Sequence, residues 1–275
     1  MPHAPAESSS KRDGIDADHS AFYRSVLKTL NASEVPFLVG GGFALACYTG
    51  IRRQARDLDL FIRQADYERA ERALRRAGHV VELTFPHWLA KVHSGGIYVD
   101  LIFNSGNGVL PVDEGWFEHA GEADILGTTV KVTPAEESLV SKAFIMERER
   151  YDGADVAHLL RVHGPRMDWH RLLDRFGPHW RILLSHLVLF GFVYPGERAL
   201  VPPWLMELLL ERLRHEAEET PPSARVCAGT LLSREQYLPD IEQQGYADAR
   251  VTPLGTMTRK DVADWTAAIP SRAGE

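Results

Sequence analysis

Apolar positions along this chain follow two periods, and the change from one to the other falls near Pro134. Before it, short apolar runs and alternating segments predominate, the period-two signature of strands; after it, spacings of three and four residues describe helices. Ala21 to Leu30 is an early exception, with Phe22, Val26, Leu27 and Leu30 on one helical face. Val35 to Val39 is expected as the first strand, Gly40–Gly42 as a tight turn, and Phe43 to Tyr48 as the start of a helix. Asp66 to Ala77 is an amphipathic helix, with Asp66 placed as its cap and Gly78 as its terminator. His79 to Leu83 is a strand, Leu89–His93 and Ile97–Phe103 form a hairpin around Ser94-Gly95-Gly96, and Gly127 to Val132 adds a further strand or an edge. Helices are expected over Pro134–Arg150, Asp155–His163, Trp169–Phe176, His179–Val193 and Trp204–Glu218, then an irregular stretch after Pro221-Pro222 and a last helix near Arg259–Ala268. The fold class is therefore α+β: a small mixed sheet with helices mainly on one face, followed by a mainly helical C-terminal region. The corresponding divisions are a disordered tail over 1–17, a sheet core over 18–133, a helical domain over 134–220 and an irregular extension over 221–275.

The chemistry lies where strand alternation meets acids. In Asp57-Leu58-Asp59-Leu60-Phe61-Ile62 the period puts Asp57, Asp59 and Phe61 on one face and three aliphatic side chains on the other. In Ile97–Phe103 it sends Val99, Leu101 and Phe103 to the apolar face and leaves Asp100 between Tyr98 and Ile102. A charge inside an apolar strand is costly unless it is paired or binds metal. Asp100 has two readings on that ground: a third carboxylate of a divalent-metal and phosphate site, or one half of a salt bridge to Lys91 or an arginine. Asp57 and Asp59 can likewise be ordinary surface acids. Gly40–Gly42 lets the backbone lie close to a ligand, and the helix that follows offers unpaired N–H groups to an anion; bare close packing is the alternative. Arg52, Arg53 and Arg56 suit bidentate phosphate recognition or simply a solvated basic face.

Taken together, Gly41-Gly42, Asp57-x-Asp59 and a later lone strand acid at Asp100 resemble the nucleotidyltransferase superfamily that includes DNA polymerase β. The fuller string GGFALACYTGIRRQARDLDLFI is similar to bacterial members of the abortive-infection and type IV toxin kind. The likeness runs from Val35 to Phe103 and weakens through Arg161. It implies a nucleotidyltransferase core over 18–133 and an enzyme that moves a nucleoside monophosphate from a nucleoside triphosphate, ATP for instance, to a hydroxyl acceptor. Asp57 and Asp59 would hold two magnesium ions, or manganese, and Asp100 the ion at the acceptor, whose proton it takes. Beside these acids Gly41, Gly42, Arg53 and Arg56 are candidate nucleotide contacts on the chemistry given above; Lys142 and Asp155 resemble a downstream lysine and acid thought to serve the site in the toxin-like relatives, and Lys142 joins the nucleotide contacts on that likeness. One departure is Ala55, where those relatives often carry Thr or Ser two residues before the first acid.

Composition narrows the setting. The 275 residues are 44% hydrophobic and 25% charged, ordinary values for a globular protein. A net charge of −7 does not favour nucleic acid as a partner, though a local basic patch leaves it open. Cys47 and Cys227 have no metal-binding spacing, and the first residues lack the apolar region of a secretory signal, which points to a reducing cytoplasm. Trp180–Tyr194, the most apolar stretch, is too short to span a bilayer and reads as a buried helix, with His186 a satisfied core residue. The acceptor stays open among a protein side chain, a tRNA end and a small molecule such as an antibiotic. The rival class is a non-catalytic regulator on the same fold, binding a nucleotide or protein partner. The two are separated by whether the three carboxylates converge beside Gly41 and Gly42.

Overall fold

The computed structural model describes residues 17–52 and 57–269, which form two compact units. The N-terminal polar tail and Arg53, Ala55 and Arg56 lie outside the described residues. The first unit takes the chain up to Phe103 together with Pro111–Pro134; the second takes Asn104–Leu110 and everything from Ala135.

In the first unit, helix α1 (Ala17–Ala32) leads to β1 (Leu38–Val39), α2 (Gly41–Thr49), β2 (Leu58–Phe61) and α3 (Tyr67–Arg76). Strands β3 (Val80–Phe85), β4 (Leu89–Ser94) and β5 (Ile97–Ile102) follow, then α4 (Glu114–Glu118), β6 (Gly121–Ile125) and β7 (Thr128–Val132). The seven strands make one mixed sheet in the order β3-β4-β5-β2-β1-β7-β6, with β2 parallel to β5 and β1 parallel to β7. Leu58, Leu60, Ile62, Val99 and Leu101 are all fully buried, in one core with Tyr23, Val26, Leu27 and Leu30 of α1 and Ala70 and Leu74 of α3. Each such aliphatic side chain contributes roughly 1.5–3 kcal/mol by leaving water. A one-residue slip of β2 would exchange Leu58 and Leu60 for Asp59, so the register is strongly set. That fixes which face the acids occupy. The hairpin β4–β5 closes through Gly95-Gly96, both at positive φ (54° and 89°), the conformation a two-residue turn of this hand requires.

Several elements differ from the periodicity reading. The first strand keeps only Leu38–Val39 of Val35–Val39, because Pro36 has no N–H to give a ladder. Asp66 takes the N-cap position of α3 but makes no side-chain cap bond; a 3-10 turn over Gln64–Asp66 precedes the helix, and the carboxylate accepts from Arg63 Nε at 2.7 Å. The helix expected over Pro134–Arg150 ends at Ala143, where the chain folds into a small loop bridged at Met146 and Tyr151. Glu147, in the charge run there, accepts from Ser233 Oγ and the Arg234 N–H. Helix α4 and strand β6 were not expected; five residues are too few for a period to show.

The second unit holds α5 (Ala135–Ala143), α6 (Gly153–His163), α7 (Trp169–Phe176), α8 (Trp180–Val193) and α9 (Pro203–Glu218). After these come the short pair β8 (Val226–Cys227) and β9 (Ala247–Asp248), α10 (Leu238–Glu242) and α11 (Arg259–Ala267). Fully buried Glu137 is paired by both Arg171 and Arg175, and Asp248 by the equally buried Arg250. Asn107 donates to the Leu231 carbonyl at 2.6 Å, which ties Asn104–Leu110 into this unit. No described helix is long and apolar enough to cross a membrane.

His186 of α8 is 3% exposed, and its Nε2 donates to the Ala143 carbonyl at 2.9 Å. Burial lowers its pKa, as it does for His163 and His179 of the same unit. A histidine kept neutral in the folded state takes up its proton only on unfolding once the pH drops below about 6.5. The unfolded chain then binds more protons, so stability is present above that pH and is lost as the pH falls toward the folded pKa. Each such group contributes a slope of at most about 1.4 kcal/mol per pH unit. Urea unfolding between pH 7.5 and 5.5 should therefore show stability falling with acid, less steeply in His186→Gln. Equal slopes in the two proteins would remove His186 from the account.

Candidate active site

The site is built on the sheet face opposite the core. Parallel register sets Asp59 directly beside Asp100, and antiparallel register sets Asp100 directly beside Lys91. Asp57 precedes β2 and points to the same face. One carboxylate oxygen from each of Asp57, Asp59 and Asp100 lies within 4.8 Å of the other two, and all three side chains are partly buried. Carboxylate oxygens gathered at this spacing are the ligand type that a hard divalent cation takes, so the donor set fits magnesium or manganese.

The glycine turn adjoins the acids. Gly40 N–H donates to the Asp59 carbonyl at 2.9 Å, and α2 begins at Gly41 with no side-chain cap. Gly41 has φ +55°, and a Cβ there would stand 1.7 Å from Asp59 Oδ2. Only glycine lets the backbone pass this carboxylate. Gly42 occupies the exposed first turn of α2, whose N-terminal dipole favours negative charge. Phe61, on the acid face as the alternation predicts, stacks on Trp116 of α4 with ring centroids 5.1 Å apart, and a Cβ on Gly40 would strike the Phe61 ring at 2.2 Å.

Asp100 is held by Lys91, whose Nζ donates to Oδ1 at 2.7 Å and sits 3.6 Å from the centre of the Tyr98 ring. Both readings of Asp100 therefore describe the same side chain: it belongs to the acid cluster and to a salt bridge. Burial raises its pKa, Lys91 opposes that rise, and Asp57 adds to it. The alternation Ala90-Lys91-Val92, with Ala90 and Val92 in the core, puts Lys91 on the acid face. In the sequence Lys91 stands only as a salt-bridge partner for Asp100, and nothing sets apart Tyr23 of α1. Burial pushes that phenol up to about 12, and the charges of Asp57, Asp59 and Asp100 push the same way.

Lys142 belongs to the second unit, where its Nζ lies 2.8 Å from Asp152 Oδ2 and 3.1 Å from Asp155 Oδ2. Asp152 also accepts from Arg150, and these partners outweigh burial to lower its pKa. Of the anticipated nucleotide contacts, Gly41 thus adjoins Asp59 and Gly42 follows it in the first turn of α2, Lys142 stands in an ion-pair cluster of its own unit, and Arg53 and Arg56 lie outside the described residues.

Comparison with known proteins bears on this geometry. Residues 16–179 match a family described as uncharacterised nucleotidyltransferase. No curated protein matches the chain. Among solved structures, the chain is 16% identical to the lincosamide antibiotic adenylyltransferase LnuA, crystallised with lincomycin, over 54% of this chain and 98% of that one, with a TM-score of 0.38. It is 15% identical to the antibiotic-resistance factor ANT(2'')-Ia, over 74% and 99% of the two chains, with a TM-score of 0.38. With JHP933 from Helicobacter pylori it shares 12% identity over 73% and 94%, with a TM-score of 0.34. The family match spans well over half of the chain and contains the glycine turn and all three acids, so this protein is an enzyme of the nucleotidyltransferase superfamily and belongs to that uncharacterised family.

Proposed function

We propose that the chain moves a nucleoside monophosphate from a nucleoside triphosphate to a hydroxyl group in a metal-dependent reaction at the Asp57–Asp59–Asp100 cluster. The observation that carries this is the gathering of the three carboxylates within 4.8 Å beside the Gly41 backbone. The acceptor oxygen bonds to the α-phosphorus, the bond from that phosphorus to the β-phosphate bridge breaks, and pyrophosphate leaves. Asp57 and Asp59 would hold magnesium, with manganese as the alternative; Asp100 would join them at the acceptor side and take the hydroxyl proton. The bound cation supplies charge neutralisation along the triphosphate and a lower pKa at the acceptor hydroxyl. The open N-terminus of α2 offers Gly41 and Gly42 N–H groups to phosphate oxygens. Arg53 and Arg56 are candidate nucleotide contacts because arginine suits bidentate phosphate recognition, and Lys142 is one by the resemblance described above. Everything else is positioning and charge stabilisation, as in phosphoryl chemistry generally.

The acceptor is a protein side chain, a tRNA end or a small molecule, with RNA disfavoured by the net charge of −7. Cys47 and Cys227, the two cysteines of the sequence, have no metal-binding spacing and fit a cytoplasmic setting, and a toxin–antitoxin-like role accords with the same resemblance. The test is incubation of the full chain with magnesium, a cell lysate and each nucleoside triphosphate labelled at the α-phosphate, and in parallel at the γ-phosphate. Label from the α position should enter one class of molecule, and none should enter from the γ position. Transfer of γ-label would identify phosphoryl rather than nucleotidyl transfer and overturn the proposal.

A further inference from the structure

We infer that Lys91 is a resident cation of the carboxylate site, so that without nucleotide the three acids hold one divalent ion rather than two. This rests on the reading of Asp57, Asp59 and Asp100 as a cation site and concerns how that site is loaded. Three observations carry it. The ammonium is 2.7 Å from Asp100 Oδ1, and the Asp100 carboxylate is one of the three that cluster with Asp57 and Asp59. Lys91 and Asp100 are direct cross-strand partners on β4 and β5, so the contact is built into the sheet register rather than made by two wandering surface chains. The ammonium also lies 3.6 Å from the centre of the Tyr98 ring, which favours a cation at that point. With side chains only 22% and 13% exposed, the pair is partly withdrawn from solvent and weakly screened.

The charge balance follows. Three carboxylates and one ammonium leave the cluster at −2, which a single divalent ion neutralises. A second divalent ion would bring the site to +2 beside a fixed ammonium and enters favourably only with the negative charge of a triphosphate. Lys91 also takes one Asp100 oxygen, which holds the plane of that carboxylate for the acceptor side. It is a positioning residue with an electrostatic role, since no reacting atom is assigned to it.

Manganese titration, read from the electron paramagnetic resonance signal of free Mn²⁺, tests this on the full chain without nucleotide. The parent should bind one ion per chain. Lys91→Met should bind the first ion on the order of tenfold tighter or take up a second. Lys91→Arg, which keeps the charge, should behave as the parent, and circular dichroism of each variant separates binding from folding. Two ions bound by the parent, or parent-like binding by a folded Lys91→Met, would overturn the role of Lys91. Were Lys91→Met to misfold, the parent stoichiometry and the Lys91→Arg comparison would still decide, since two ions on the parent or tighter binding by the arginine variant overturns the inference. No binding by the parent would remove the cation-site reading itself, an outcome distinct from these.

Discussion

Gly41→Ala is expected to destabilise the first unit by roughly 2–5 kcal/mol and to abolish transfer. Two costs combine. The left-handed conformation at φ +55° costs a residue with a Cβ about 1–2 kcal/mol. The added methyl would also stand 1.7 Å from Asp59 Oδ2, so the carboxylate or the backbone must move, an overpacking cost of about 1–3 kcal/mol. Gly50→Ala supplies the control. Gly50 is likewise left-handed, at φ +71°, but nothing lies within 4 Å of its Cβ position, so this variant carries the conformational cost alone. Denaturant melts of the two variants should differ by the packing cost, and only Gly41→Ala should lose metal binding. Equal destabilisation, with transfer intact in both, would mean that Gly41 serves the turn and not the carboxylate beside it.

Asp59→Asn should lower transfer by roughly a thousandfold or more, the scale expected when several kcal/mol of charge stabilisation is lost. Its stability should move the other way. With the three carboxylate oxygens within 4.8 Å, neutralising one relieves repulsion, so in chelator the variant should melt no lower than the parent. Metal with nucleotide should then raise its melting temperature less than the parent's, because ligand binding to the folded state is the source of that rise. A variant that melts several degrees lower in chelator yet keeps the full ligand shift would make Asp59 a structural partner.

Much of this site could be read from the chain before the structure. Asp57-Leu58-Asp59-Leu60 carries its own face assignment, because alternation is a local property and the aliphatic half has only one place to go. Asp100 was legible for the same reason, and the Gly95-Gly96 turn announced the hairpin that presents it. The partnership of Lys91 was less legible: its register with Asp100 depends on how many residues the hairpin turn takes, and its relevance depends on β5 pairing with β2 across the 35 residues between them. Strand order is non-local in the same way, and nothing near Val39 foretells its parallel partner Val132. The overlong helix before Arg150 failed differently. Its apolar spacing continues past Ala143, but Glu147 is drawn off to Ser233 and Arg234, contacts that no window of sequence contains.

The central claim, that these carboxylates and the Gly41–Gly42 turn form one nucleotide and metal site, is tested most directly by crystals grown with Mn²⁺ and a triphosphate analogue that cannot be cleaved between the α- and β-phosphates. The anomalous difference map should place manganese against Asp57, Asp59 and Asp100, with triphosphate oxygens at the N-terminus of α2. Manganese or triphosphate bound elsewhere on the chain, with those three carboxylates left to Lys91 and solvent, would contradict it.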